Sequence, residues 1–230
     1  MIGTIVNAAA IVLGTMIGLL FKKGMPERMR NTIMQGIGLA VLLIGLQMSI
    51  QSKEILVVVA SLVLGGLTGE LVNIEGWLAR LGRWVDTSVG GMAGEAGKAF
   101  VMTSLIYCVG AMAIMGSLEA GLNNNHQILF TKAAIDGVSA ALFASTMGLG
   151  VAFSALPVLV YQGSITMLAS LLRGLLSPEA VLEMSATGGL LIVGIGINIL
   201  GIKEIKVANL LPAIFYALPL VYWLPYFMPG

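Results

Sequence analysis

Residues 120–163 read AGLNNNHQILFTKAAIDGVSAALFASTMGLGVAFSALPVLVYQG. The stretch opens in a polar loop, carries Lys132 and Asp136 into apolar sequence, and passes through Gly148-Leu149-Gly150. A second apolar segment with Pro157 and Gln162 follows. Each segment approaches the ~20 residues that a helix needs to cross hydrocarbon. A charged pair there is costly, and such residues usually serve function.

Working outward, the rest of the chain has the same character. Of its 230 residues 58% are hydrophobic and 10% charged, with mean hydropathy +0.99. Soluble domains carry about 25% charged residues. A water-soluble fold would leave large apolar surfaces exposed. The sequence therefore predicts an all-α, polytopic transmembrane bundle. Many of its 30 glycines fall inside apolar runs, where they let helices approach closely. A net charge of +1 implies no nucleic-acid partner. The single cysteine, Cys108, allows no disulfide within one chain and is read as packing.

About eight spans are expected, near 2–21, 31–50, 55–72, 99–118, 128–149, 151–172, 185–202 and 207–227. The first reads as a retained span and not a signal peptide, since it lacks a basic leader region. Its Gly14 and Gly18 offer a smooth face to another helix. Residues 74–88 place Ile74, Trp77, Leu78, Leu81, Trp84 and Val85 at helical spacing between Glu75, Arg80, Arg83 and Asp86. That pattern predicts an amphipathic helix, lying in the membrane interface or docked on the ends of other helices. Residues 90–97 read as a Gly-rich linker, and Ser177-Pro178-Glu179 as a helix start. Trp223, Tyr222 and Tyr226 read as an aromatic anchor. The chain divides into 1–73, 74–97, 98–150 and 151–230, all in one membrane domain.

Eight spans put Lys22, Lys23, Arg28, Arg30, Arg80, Arg83, Lys98, Lys203 and Lys206 on one side, nine of the twelve basic residues. Cytoplasmic loops favour Lys and Arg, so both termini are expected outside. Six spans, with 128–172 re-entrant, preserve the same sidedness.

An internal match supports a repeat. GLAVLLIGLQ at 38–47 resembles GLLIVGIGIN at 189–198, and Lys-Glu-Ile follows both, at 53–55 and 203–205. The displacement is five spans, an odd number, so the halves are inverted, which is a transporter pattern. A shorter rival, Gly14-Thr15-Met16 with Ser145-Thr146-Met147, implies a parallel repeat.

The candidate site residues are Asp136, Lys132, Asn7, Gln47, Asn198, Gln162, Gly45 and Gly196. Lys132 and Asp136 share a helix face. Either Asp136 binds or exchanges a cation or proton, or the two form a boundary salt bridge with Lys132 snorkelling outward. The four amides line a polar site or join helices by hydrogen bonds. Gly45 and Gly196 allow local unwinding beside two of them. Glu70, Glu119 and Glu183 read as solvated span ends. His126 has no second ligand near it, so no metal is expected, and no cofactor either. Phosphate-loop, G-x-S-x-G and H-E-x-x-H motifs are absent, so no enzyme is expected.

MIGTIVNAAAIVLG at 1–14, GGLTGEL at 65–71, GAMAIMGSLEAGL at 110–122, KAAIDG at 132–137, GLGVAFSA at 148–155 and YQGSIT at 161–166 resemble the YdfK/YqgA-like family of bacterial inner-membrane proteins. The resemblance covers nearly the whole chain. It implies an inner-membrane location and a polytopic fold, and it assigns no activity. Two functions are weighed. One is an inverted-repeat transporter or channel for a small solute or ion, its site between Asp136 and the second and seventh spans. The other is a non-transporting scaffold or regulator that uses helix 74–88 as partner surface. The lipid bilayer is a partner in both, and the Gly-rich first and seventh spans point to a homo-oligomer.

Overall fold

The computed structural model describes residues 1–22, 26–88 and 95–227. Lys23 and most of the 90–97 linker lie outside them, as does the side chain of Tyr226. The described residues form helices α1 (Ile2–Lys22), α2 (Glu27–Ser49), α3 (Ile55–Val72), α4 (Ile74–Ser88), α5 (Glu95–Cys108), α6 (Ala111–Leu122), α7 (Gln127–Met147), α8 (Gly150–Phe153), α9 (Ala155–Met167), α10 (Ala169–Leu172), α11 (Pro178–Ile199) and α12 (Pro212–Phe227). A 3-10 turn, Val207–Leu210, precedes α12.

Among the described residues, six helical segments are long and apolar enough to cross a membrane: α1, α2, α3, α7, α11 and Gly150–Met167. The expected fourth span is a bent pair, α5 and α6, with 61° between them. The turn between them holds Gly110 at φ +143°, a conformation open mainly to glycine. The last apolar segment, Val207–Trp223, is shorter than a full span. Several boundaries differ from expectation, and two of the new helix starts have a visible cap. Residues 178–184 continue into the seventh span as one helix, started by Ser177, whose Oγ accepts from the Ala180 N–H at 3.2 Å. Residues 95–97 open α5, where Asp86 accepts from the Gly97 N–H at 2.8 Å.

The helices fall into two compact units. The first holds Met1–Gln35, Leu78–Cys108 and Met112–Leu172. Its axis is α1 beside α7. Gly14 sits on the Gly137 carbonyl and Gly18 on that of Ala141, so the two backbones touch. Gly3 meets Leu129 at the other end, which makes the two helices parallel. The inner face of α1 is small or polar: Gly3, Thr4, Asn7, Gly14, Thr15 and Gly18 are buried with Ile11. Its outer face is large and apolar, with Ile5, Leu13, Ile17 and Leu20 exposed. Lipid tolerates that face, whereas water does not.

The second unit holds Gly36–Trp77, Val109–Ala111 and Arg173–Gly230. Here α3 and α12 run antiparallel, with Gly65 on Ala213 and Gly69 on the Asn209 carbonyl. The helices α2 and α11 are antiparallel too. A Cβ on Gly45 would stand 2.7 Å from the Val193 nitrogen, and one on Gly196 2.7 Å from Leu42 Cγ. One on Gly38 would stand 2.7 Å from Leu200 Cδ2, and one on Gly189 2.7 Å from Ser49 Oγ.

Helix α4 has the expected limits. Trp77 and Trp84 are exposed, while Gly82 and Val85 are buried. Within the first unit, Gly97 packs on Gly82 and Asp86 caps α5, so that part of α4 is docked on a helix start.

Adding a side chain at a backbone contact forces helices apart, at a cost of about 1–3 kcal/mol or more. Gly14→Val and Gly45→Val should each lower the unfolding midpoint in detergent. Gly36→Val, with nothing within 4 Å of its Cβ, should leave it nearly unchanged.

Candidate functional site

Asp136 lies near the middle of α7 and Lys132 one turn before it. Both are buried, with 4% and 7% of their surface exposed. Lys132 Nζ donates to Oδ1 at 2.9 Å and to Oδ2 at 2.7 Å. From α1, Asn7 Nδ2 donates to Oδ2 at 3.0 Å. The parallel glycine contact puts Asn7 there. Lys132 is buried and lies along its own helix onto Asp136, so an outward-pointing side chain is not what is observed.

The end of α5 adds polar groups. Tyr107 is buried and its ring packs on Phe143, 6.4 Å between centroids. Its hydroxyl lies 3.4 Å from Ser139 Oγ, which donates to the Asp136 carbonyl at 3.0 Å.

The unit also holds more polar atoms than it pairs. Among the described residues, Asn7 Oδ1, both amide atoms of Gln162, and the hydroxyls of Thr4, Ser117 and Thr166 are buried without a hydrogen-bond partner. Other hydroxyls of the same unit donate to their own helix: Thr15 to the Ile11 carbonyl at 2.8 Å, and Ser164 to that of Val160 at 2.6 Å. The unpaired groups stand on neighbouring helices. Leu129 meets both Gly3 and Gly116, which sets Thr4 and Ser117 beside the start of α7. Gly121 meets the Thr166 carbonyl. An unpaired buried polar group costs ~1–3 kcal/mol, so several together need a reason.

The remaining expected site residues lie in the second unit and behave otherwise. Gln47 and Asn198 are exposed. Asn198 is engaged by its own loop, its Nδ2 donating to the Ile205 carbonyl and its Oδ1 accepting from the Ile205 N–H, both at 2.8 Å. Gly45 and Gly196 sit in unbroken helix, so the expected unwinding does not occur. They serve close packing instead. The broken helix is at α5–α6, whose sequence shows only Gly110 as a signal.

Sequence reasoning missed two polar clusters in the second unit. Glu183, read as solvated, is 2% exposed. Its carboxylate accepts from Ser52 Oγ at 2.6 Å, and from the Lys53 and Glu54 N–H groups at 2.7 and 3.2 Å. It thereby satisfies free donors at the start of α3, where a negative charge is favoured. Asn209 is buried and donates to Glu70 Oε2 at 2.6 Å, while its Oδ1 accepts from the Glu75 N–H at 2.7 Å. Lys206 donates to Glu70 Oε1 at 2.8 Å, and this bond raises the lysine above its ordinary range. Nothing in the local sequence pairs residues so far apart.

The fold and this buried charged cluster define a polytopic helical membrane protein. Residues 2–222 match the family model described as Protein of unknown function (DUF554), and the chain belongs to that family. It is similar to the uncharacterized membrane protein YdfK of Bacillus subtilis (strain 168), 34% identical over 218 residues and 93% of each chain. It is also similar to the uncharacterized protein YqgA of Escherichia coli (strain K12), 30% identical over 231 residues and 95% of each. No solved structure matches.

Removing one member of a buried pair leaves an uncompensated charge, at ~3–5 kcal/mol, whereas an apolar replacement of both is near neutral. Asp136→Leu alone should therefore unfold at markedly lower denaturant in detergent. Asp136→Leu with Lys132→Met should recover most of the loss.

Proposed function

We propose that this chain is a transporter or channel for a small solute or ion in the bacterial inner membrane, working through the unit built on α1, α7 and α9. Asp136 and Lys132 form the charged centre. Asn7 and Gln162 present hydrogen-bonding groups to whatever passes. The observation that carries this reading is a buried, already satisfied charged pair in the same unit as amide and hydroxyl groups without partners, Asn7 Oδ1 and both amide atoms of Gln162 among them. A structural salt bridge needs no unpaired neighbours, and hydrocarbon penalises them. A permeating solute or water uses them.

Two further features support a transporter architecture. The first is topological. Because α1 and α7 run parallel, an odd number of crossings separates them. Helices α2 and α3 supply two, and the bent pair α5–α6 supplies the third. Because α2 and α11 run antiparallel, Gly150–Met167 crosses as well. Counting the shorter α12 as a crossing gives eight in this reading, and the distribution of basic residues then favours both termini outside.

The second is the inverted-repeat reading, which the contacts between α2 and α11 support. The shift that carries Gly38 onto Gly189 also carries Gly45 onto Gly196, Leu42 onto Val193 and Ser49 onto Leu200. Applied to the contacts, it turns Gly45–Val193 into Gly196–Leu42, and Gly38–Leu200 into Gly189–Ser49. Each contact has its mate, as a two-fold axis between α2 and α11 requires. The match extends backwards with two one-residue insertions, Gly14-Thr15 through Lys23-Gly24 echoing Gly163-Ser164 through Arg173-Gly174. The rival parallel match agrees with α1 and α7 running parallel, but it has no reciprocal contacts behind it. Inverted repeats with a broken helix recur in transporters.

The test is water access along α7 and α9. Single cysteines through 128–166, in a Cys108→Ser background, are treated with a membrane-impermeant thiol reagent. Positions flanking Asp136 and Gln162 should label. Full protection of every mid-helix position would reject the transport reading in favour of a scaffold.

A further inference from the structure

The polar groups of the first unit are unevenly placed along α7. Leu129, in its first turn, meets Gly3 of α1 and Gly116 of α6, where an added Cβ would stand 2.7 and 2.9 Å away. A Cβ on Gly163 of α9 would stand 3.5 Å from Met1 Cε, and Gly121 of α6 meets the Thr166 carbonyl. The starts of α1 and α7 therefore share one level with the ends of α6 and α9. Thr4, Ser117, Gln162 and Thr166 stand at that level, all buried and all without a hydrogen-bond partner. Asn7 and Lys132 lie about one turn further in, and Asp136 about one turn beyond Lys132.

The end of α7 is different. There Gly150 of α8 meets Ala96 at the start of α5, and Lys22 of α1 lies by Gly148. Thr15, Thr103, Thr146 and Ser154 are buried towards this end. Each donates to a carbonyl three or four residues back: Thr15 to Ile11, Thr103 to Ala99, Thr146 to Phe143 and Ser154 to Val151, at 2.8, 2.7, 2.9 and 2.6 Å. That local bond is the usual resort of a helical hydroxyl away from water. Among the described buried residues of this unit, the hydroxyls towards the end of α7 are paired, and those towards its start are not.

Resting on the transport reading, we infer that Thr4, Ser117, Gln162 and Thr166 form a second, uncharged binding site, through which the passenger enters from the face where α1 and α7 begin. The site takes the passenger's water shell. Three hydroxyls and one amide supply donors and acceptors together without a formal charge, as water does. The shell is exchanged there, before the passenger meets Asp136 and Lys132. Past Asp136 the way is closed. Gly14 and Gly18 hold the backbones of α1 and α7 together, and Tyr107 packs on Phe143 about two turns further along.

The experiment uses the full chain, with Cys108→Ser, in right-side-out and inverted membrane vesicles. Asn124→Cys and Arg28→Cys, both at exposed positions, mark the two faces. Thr4→Cys, Ser117→Cys and Thr166→Cys probe one end of the unit. Thr15→Cys, Thr103→Cys and Thr146→Cys, equally conservative, probe the other. The probes are two impermeant methanethiosulfonates of opposite charge. The first three thiols should react about tenfold or more faster than the second three, since a thiol reacts as thiolate in water and is inert in apolar surroundings. They should do so from the face that labels Asn124→Cys, and with both reagents. Reaction of both sets, of the second set alone, or from the face that labels Arg28→Cys would overturn the entry site. So would protection of all six while positions flanking Asp136 label. In each of these cases the transport reading stands. Reaction with only one of the two reagents would overturn the uncharged character of the site. Protection of every position, those flanking Asp136 included, would overturn both the entry site and the transport reading.

Discussion

A carboxylate in hydrocarbon must be answered by a nearby charge, and Asp136 sets that demand for the first unit. Lys132 answers it from one turn away, and Asn7 from another helix. The second answer works only if α1 and α7 lie backbone to backbone. That distance is set by Gly14 and Gly18 on α1, with Gly137 directly after Asp136 on α7. The charge and the glycines are therefore one arrangement. A larger residue at the contact would move Asn7 away from the carboxylate.

The second unit solves the same problem by different means. Its carboxylates, Glu183 and Glu70, sit at helix ends and take backbone and amide donors from the segments that join the spans. They hold loops against helices and leave no unpaired carboxylate oxygen pointing into the bundle. Its glycines bring antiparallel helices together at α2–α11 and α3–α12. The contrast matters for function. Both units hold buried hydroxyls without partners, Ser61, Ser185 and Thr187 in the second, so what marks the first is a buried charged pair in the same unit as the unpaired amide groups of Asn7 and Gln162.

The helical, membrane-spanning character was legible from composition and run length, because hydrocarbon imposes a length that sequence displays. The i, i+4 pairing of Lys132 and Asp136 was equally legible, being local. Asn7 as their partner was not, since its bond spans 129 residues and depends on helix packing. Gln47 and Asn198 looked like Asn7 in sequence, yet they are exposed, because an apolar run does not say which face points inward. The same blindness placed the helix break at the glycines of α2 and α11. Glycine inside a span signals close approach as readily as unwinding, and only the neighbouring backbone decides. At Gly110 no close backbone stands opposite, and there the chain bends.

The account rests on Asp136 being a carboxylate that meets the permeating solute or ion and not a fixed strut, and alkali cations are the simplest passengers to try. Isotope-edited infrared difference spectroscopy of the reconstituted protein reads that directly, with cation exchanged on and off. The account predicts a shifted carboxylate stretch that disappears in Asp136→Asn. A difference spectrum without a carboxylate band, for sodium, potassium and lithium alike, would contradict it.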